Sequence, residues 1–157
     1  MTKKHFTTLD LSLSVIIFIF PLIIVLLLLL TGRTEAPQSV TNPCISIGLS
    51  CYDLEKATTN EAQIKGLSGR SNMPEKTGML FIFDTPDQQC MWMKDMKISN
   101  DMIWLDESKR VIKIEQKVLP ESYPKTYCSE SPAKYVIELN GGQVEKNQIR
   151  IGDTVSL

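Results

Sequence analysis

The stretch that decides the fold is WMKDMKISNDMIWLD, which spans residues 92–106. It holds both tryptophans of the chain, Trp92 and Trp104, and it places lysines and aspartates between apolar residues. No tight-turn signal interrupts it before its last residue. Alternation over residues 90–95 puts Trp92 and Lys94 on one strand face, and the end of the stretch predicts a second strand.

Further strands are predicted on both sides, from short apolar or alternating runs separated by turn residues. The predicted strands are Tyr52–Ala57, Met79–Phe83, Asp101–Leu105, Val111–Lys117, Lys134–Leu139 and Ile149–Leu157, with a turn at Asp84–Asp87 and an irregular loop at Leu119–Pro132. A capping box of Thr58 and Glu61 starts a short helix that Gly66 ends, and residues 143–147 predict a helical turn. This pattern indicates a mainly β sandwich or barrel-like domain with one or two short helices, a minor α+β component.

The N-terminal part of the chain predicts a membrane anchor. Residues 11–30 carry no charge, and twenty residues is about the length that a helix needs to cross the hydrocarbon core. Lys3 and Lys4 precede the span, so the positive-inside rule places residues 1–10 in the cytoplasm and the rest of the chain outside. A cleaved signal peptide is the alternative.

A polar tether over residues 31–43, with two prolines, separates the anchor from a domain at residues 44–157. The expected location is therefore the cell membrane, with a single pass and the C-terminal domain outside the cytoplasm. The chain has 17 Lys+Arg and 18 Asp+Glu, and removing Lys3, Lys4 and Asp10 leaves 15 and 17 after the span. A nearly neutral domain argues against nucleic acid as a partner.

All four cysteines follow the predicted span: Cys44, Cys51, Cys90 and Cys128. An even number in an oxidising compartment suggests disulfides, with three possible connectivities. We favour Cys44–Cys51 closing a local loop and Cys90–Cys128 joining distant segments. A straight strand between the first two would force the other pairings, and four free buried thiols are a further alternative.

Several blocks together resemble the prokaryotic domain-of-unknown-function family 192. The matching blocks are KGLSGR at 65–70, GMLF at 78–81, WMK at 92–94, ISND at 98–101, IWLD at 103–106, AKYVIELN at 133–140 with Gly142, and IGD at 151–153. The resemblance covers about residues 52–157, in order and at plausible spacing. It implies a mainly β domain that is often exported, and it implies no established reaction.

The residue types in the domain exclude several chemistries. His5, before the predicted span, is the one histidine of the chain, so no nucleophile–histidine pair and no histidine-ligated metal is expected in the domain. Close cysteine pairs, a glycine-rich phosphate loop and a calcium loop are also missing from the sequence. No metal and no cofactor is therefore expected.

Paired carboxylates are the remaining catalytic option, with Asp101, Asp106 and Glu138 as candidates for general acid–base work. Each has a simpler explanation. Asp106 is an ordinary turn former, and Glu138 alternates with Ile137 and Leu139, which is typical of a solvated strand face. A hydrolase or lyase would require two of these carboxylates to converge in one cleft.

A second set consists of Arg70, Trp92, Lys94 and Asp101. One explanation is a structural ion pair of Arg70 or Lys94 with Asp101. The other is a ligand-binding site, in which Trp92 stacks on a sugar or peptide while the charged groups bind its edge. Trp104, between two apolar residues, is assigned to the core, and the methionines are assigned to gap-filling positions rather than to metal binding.

The sequence therefore predicts a membrane-anchored binding or accessory module for an envelope glycan, peptide or protein. A carboxylate-dependent hydrolase or lyase is the first alternative. A purely structural envelope protein is the second, and it would show no cleft at all.

Overall fold

The computed structural model describes residues 44–157. The predicted tail, anchor and tether, at residues 1–10, 11–30 and 31–43, lie outside these residues. No helix in the described range is long and apolar enough to span a membrane.

Eight strands, two short α-helices and a 3₁₀ turn form the domain. In chain order they are β1 (Ile45–Ile47), β2 (Ser50–Ala57), α1 (Asn60–Lys65), β3 (Thr77–Asp87), β4 (Cys90–Trp92), β5 (Asn100–Leu105), β6 (Val111–Val118), the 3₁₀ turn (Pro120–Ser122), β7 (Thr126–Cys128), β8 (Ala133–Asn140) and α2 (Gln143–Lys146). The mainly β prediction and the short helices are confirmed. The architecture is one curled half-barrel sheet rather than a sandwich.

The main sheet has six strands in the order β1-β2-β3-β8-β5-β6. The β2–β3 pair is parallel and is connected through α1, whereas the other neighbours are antiparallel. β4 and β7 form a separate two-stranded ladder. At Gly78 a Cβ atom would lie 2.3 Å from the carbonyl oxygen of Glu138, so β3 and β8 need glycine there to approach closely.

Both faces of the central strands of the main sheet are covered, and β5 is buried along its whole length. One face carries a cluster that includes Tyr52, Leu80 and Ile137. The other face carries a cluster that we call the Trp104 cluster, with Phe81, Met102 and Val136 among its buried members. Because successive side chains of a strand point to opposite faces, β8 supplies both clusters, and no face of it is left to solvent.

Both favoured disulfides are present, Cys44–Cys51 and Cys90–Cys128. The first closes the β1–β2 hairpin, in which Gly48 adopts a φ of 57°. The segment between its cysteines is thus a hairpin and not a straight strand. The second joins directly opposite residues of β4 and β7.

Several local predictions are wrong for identifiable reasons. The cap of α1 is Thr59, not Thr58, and its hydroxyl oxygen accepts from the Ala62 amide at 3.2 Å. Residues 84–87 continue β3 rather than turning, because a register shift in the β3–β8 ladder accommodates Pro86.

Three other local predictions, two of strands and one of a loop, are also wrong. β4 ends at Trp92, and Lys94 lies in the following turn, where Asp95 has a φ of 56°. The loop predicted for residues 119–132 contains β7. Residues 149–157 make only isolated bridges, at Thr154 and Ser156, so they are not a strand.

Candidate binding cleft

A cleft of about 180 Å³ opens between α1 with its following loop, β3, and β4. It lies on the face of the sheet that carries the Trp104 cluster. Its lining includes the side chains of Ile64, Leu67, Phe81, Met91, Trp92 and Glu138. The purely structural alternative predicted no cleft, whereas the domain has one.

Two hydrogen bonds hold the α1 wall in place. Gln63 donates through its amide nitrogen to the Ile82 carbonyl oxygen at 2.8 Å, which holds the helix over β3. Gly66 ends the helix with a φ of 47° and donates to the Ala62 carbonyl oxygen at 2.8 Å. Leu67 then enters the core, and Ile64 is left 59% exposed at the rim.

The opposite wall is β4, which is too short to be stable alone and is held by its partner strand. Trp92 pairs with Thr126 in the β4–β7 ladder, and the Cys90–Cys128 disulfide lies two residues away. Trp92 is 43% exposed and faces the cleft. The disulfide thus helps to position the one exposed tryptophan of the described chain.

Two hydrogen bonds join the walls behind the cleft. The Ser68 hydroxyl donates to the Lys94 carbonyl oxygen, and the Gly69 amide donates to the Asp95 carbonyl oxygen, both at 2.8 Å. These bonds connect the loop after α1 to the turn after β4. Lys94 takes part through its backbone carbonyl oxygen.

The most unusual lining residue is Glu138, which is only 3% exposed. In the sheet it lies between Met79 of β3 and Met102 of β5. Within residues 44–157 its carboxyl group forms no ion pair and no side-chain hydrogen bond. Burial raises the pKa of Glu138 from 4.5 to about 8, so the group is mainly protonated at neutral pH. A solvated strand face, as predicted for Glu138, is wrong because the sheet is covered on both sides.

Three predicted site residues do not line this cleft: Arg70, Lys94 and Asp101. Arg70 forms a two-pronged ion pair with Glu55, with nitrogen–oxygen distances of 2.5 and 2.7 Å. These hydrogen bonds lower the pKa of Glu55 and raise that of Arg70. The predicted pairing of Arg70 or Lys94 with Asp101 is wrong, because Arg70 is occupied by Glu55 and Lys94 lies in the turn after β4.

Asp101 has a structural role that accounts for its burial. Its carboxylate accepts from the amides of Lys117, Gly142 and Val144, at 2.7, 3.0 and 2.7 Å. It therefore joins β5 to β6 and to the N-terminus of α2. Three hydrogen bonds to backbone amides leave this carboxylate well satisfied without a ligand.

The three candidate carboxylates do not converge. Asp101 and Met102 are successive residues of β5, and Met102 shares a face with Glu138, so Asp101 points to the opposite face. Asp106 lies in the β5–β6 turn, where its side chain accepts from the Arg110 amide at 2.9 Å, as expected of a turn former. The described residues also contain no cluster of three or more His, Cys, Asp or Glu side chains that could hold a metal ion.

Ile64 was missed from the sequence, because it carries no signal beyond its place in a short polar helix. Glu138 was a candidate carboxylate, but its burial was missed. That burial could have been predicted from the mainly apolar character of residues 133–140, which is typical of a strand covered on both faces. Trp104 is confirmed as core: it is fully buried, and its indole N–H donates to the Gln89 carbonyl oxygen at 2.9 Å.

Together, the fold and the cleft define a small, disulfide-linked, mainly β domain with a buried acid in the lining of its cleft. A family model with the description "Uncharacterized ACR", DUF192, matches residues 45–157. The chain belongs to the DUF192 family. None of the curated proteins matches it.

Two solved structures are similar. A protein of Novosphingobium aromaticivorans DSM 12444, described as of unknown function, has a TM-score of 0.69 and 26% identity, over 78% of this chain and 91% of that one. A protein of Sinorhizobium meliloti 1021, provisionally named a transcription regulator, has a TM-score of 0.66 and 29% identity, over 68% of this chain and 82% of that one.

Proposed function

We propose that the chain is a membrane-anchored, extracytoplasmic binding module, and that its cleft takes one side chain of an envelope peptide or protein. The observation that carries this proposal is the buried carboxyl group of Glu138, which lines the cleft and has no partner within residues 44–157. Such a group destabilises the fold, and perturbed titratable groups in clefts are candidates for functional sites. Export is supported by the two disulfides and by the apolar stretch at residues 11–30.

The size of the cleft limits what can enter. Its volume of about 180 Å³ lies below the range of roughly 300–1,000 Å³ that holds a drug-sized ligand. It is close to the cavity of about 150 Å³ that accommodates benzene in another protein. The cleft therefore suits one ring-sized group that belongs to a larger molecule.

The polar groups of the cleft favour a protein side chain over a sugar. A sugar ring presents several hydroxyl groups, and each needs a partner when it is buried. Gln63 and the Ser68 hydroxyl already donate to backbone carbonyl oxygens. Asn60 and Lys65 are exposed. Glu138 is then the buried polar side chain of the lining. One apolar group with a single polar atom is the better match.

The rim has the character of a docking surface. Ile64 and Trp92 stand on opposite sides of the opening and are both substantially exposed. Exposed tryptophans beside a pocket are typical centres of binding energy in protein interfaces. The adjoining Trp104 cluster contains or contacts all six methionines of the described chain, whose flexible side chains adapt to different partners.

The enzyme alternative has less support. A glycoside hydrolase of the common type needs two carboxyl groups flanking the scissile bond. Glu138 has no second carboxylate beside it in the cleft.

A display selection with matched variants tests the proposal. Peptides are selected against the full-length chain, and their Kd values are measured for the wild type, Trp92→Ala, Ile64→Ser and Leu49→Ser. Leu49 is 71% exposed in the β1–β2 turn and does not line the cleft, so it is the control for loss of exposed apolar surface. We expect at least ~10-fold weaker binding for the two cleft variants, which corresponds to about 1.4 kcal/mol, and no change for Leu49→Ser. Equal losses in all three variants, or none, would overturn the proposal.

A further inference from the structure

Given the proposed docking function, we infer that the cleft selects an uncharged, ring-sized group with a hydrogen-bond acceptor, which pairs with the buried carboxyl group of Glu138. The class of ligand is thus an aromatic or similar ring that carries an amide, a carbonyl or a hydroxyl oxygen. Neither an ammonium group nor a carboxylate fits this description.

The surroundings of Glu138 are the basis for the inference. β3 and β5 present Met79 and Met102 on its two sides, and β3 also contributes Phe81 to the cleft. β4 presents Met91 and Trp92. Of these side chains only Trp92 carries a strong hydrogen-bond donor. Within residues 44–157 its indole N–H forms no hydrogen bond with Glu138, and burial is the cause of the raised pKa.

Lys65 of α1 is the one other charged residue that lines the cleft. It forms no ion pair with Glu138, and burial alone accounts for the direction in which the pKa of Glu138 moves. The carboxyl group therefore keeps its proton at neutral pH and offers one O–H donor towards the cleft.

The kinds of ligand differ in how favourably they interact with this O–H donor. An acceptor oxygen pairs with the O–H group without burying any charge. An apolar ring leaves the O–H group unpaired, which is unfavourable in a buried site. An ammonium group requires Glu138 to ionise and buries an ion pair, and a carboxylate buries its own charge, so both pay a large desolvation cost.

Four probes with the same ring separate these cases: benzamide, toluene, benzylamine and benzoate. Each is titrated into the full-length chain at pH 6.5 and pH 9.5, and binding is followed by the NMR signal of the Trp92 indole N–H. We expect benzamide to bind at least ~10-fold more tightly than the other three at pH 6.5. Its affinity should fall by at least ~10-fold at pH 9.5, because Glu138 has then lost its proton.

Variants assign the effect to one residue. Glu138→Gln keeps an N–H donor and cannot ionise, so it should bind benzamide at both pH values with less than ~3-fold difference. Glu138→Leu should bind benzamide and toluene equally. Lys56→Met, at an exposed residue that does not line the cleft, is the control for loss of surface charge and should behave as the wild type.

Three results would overturn the inference: tightest binding of benzylamine, equal binding of benzamide and toluene by the wild type, or no response of Trp92 to any probe. The first two would leave the docking proposal intact, since the cleft would still hold a ring. The docking proposal fails separately, if peptide binding does not depend on Trp92 and Ile64.

Discussion

Replacing Glu138 with glutamine should change how the stability of the domain depends on pH. The pKa of this group is raised by burial from 4.5 in an unfolded chain to about 8 in the folded one. Between these values the folded state holds a proton that the unfolded state has released, so the free energy of unfolding falls as pH rises from about 4.5 to about 8. Below that window the full stability is present, and above it the loss is complete.

The size of the effect follows from the shift. A difference of about 3.5 pKa units corresponds to about 5 kcal/mol at about 1.4 kcal/mol per unit, and this is an upper bound because relaxation and water entry reduce it. Glutamine has nearly the same shape but no charge. The variant should therefore lose most of this slope and be more stable than the wild type at pH 8.

The assay is urea unfolding of the full-length chain at pH 5, 6, 7 and 8, followed by the fluorescence change that accompanies exposure of Trp104. Glu55→Gln is the matched control. Arg70 lowers the pKa of Glu55, so the stability that Glu55 contributes is present above about pH 4.5 and is lost only in more acidic solution. The control should keep the wild-type slope between pH 5 and pH 8. Equal slopes for the wild type and Glu138→Gln would refute the reasoning.

Three other substitutions or treatments test the remaining parts of the account. Asp101→Asn should lower the free energy of unfolding by roughly 1.5–3 kcal/mol, because one oxygen that accepts from backbone amides is replaced by a donor; peptide binding should be unchanged, and a folded variant that no longer binds would show that Asp101 belongs to the site. Replacing both Cys90 and Cys128 with alanine should cost about 2–5 kcal/mol in urea unfolding, and it should weaken peptide binding because β4 holds Trp92; unchanged binding would mean that the disulfide does not position the tryptophan. Protease added to intact cells should remove the C-terminal domain, and full protection after the outer layers are permeabilised would contradict the proposed topology.

The central strands were predictable because their signals are local. Residues 101–105, 111–117 and 134–139 each combine β-branched or aromatic side chains with flanking turns, and the structure places β5, β6 and β8 there with changes of one residue at most ends. The favoured disulfide pairing is also confirmed, although the sequence left the other connectivities open. Both Trp104 and Asp106 have the roles that their neighbours in the sequence indicated.

The failures share a different cause, since they depend on what packs against a segment. Pro86 and Asp87 look like turn residues, but a register shift in the β3–β8 ladder keeps them in a strand. Glu138 looks solvated in isolation, and only the cover on both faces of the sheet makes it buried. Charged residues that are close together in the sequence suggested a binding site that includes Asp101. Because side chains alternate along β5, Asp101 lies on the face of the sheet opposite Glu138.

The central proposal is that Glu138 is uncharged at neutral pH and faces a cleft that binds a ligand. The direct test is the NMR titration of the Glu138 side-chain carboxyl carbon, in the full-length chain, alone and with saturating benzamide. We predict a midpoint near pH 8 for the free protein, and a higher midpoint with benzamide because the ligand binds the protonated form. A midpoint near 4.5, or one that benzamide does not move, would contradict the account.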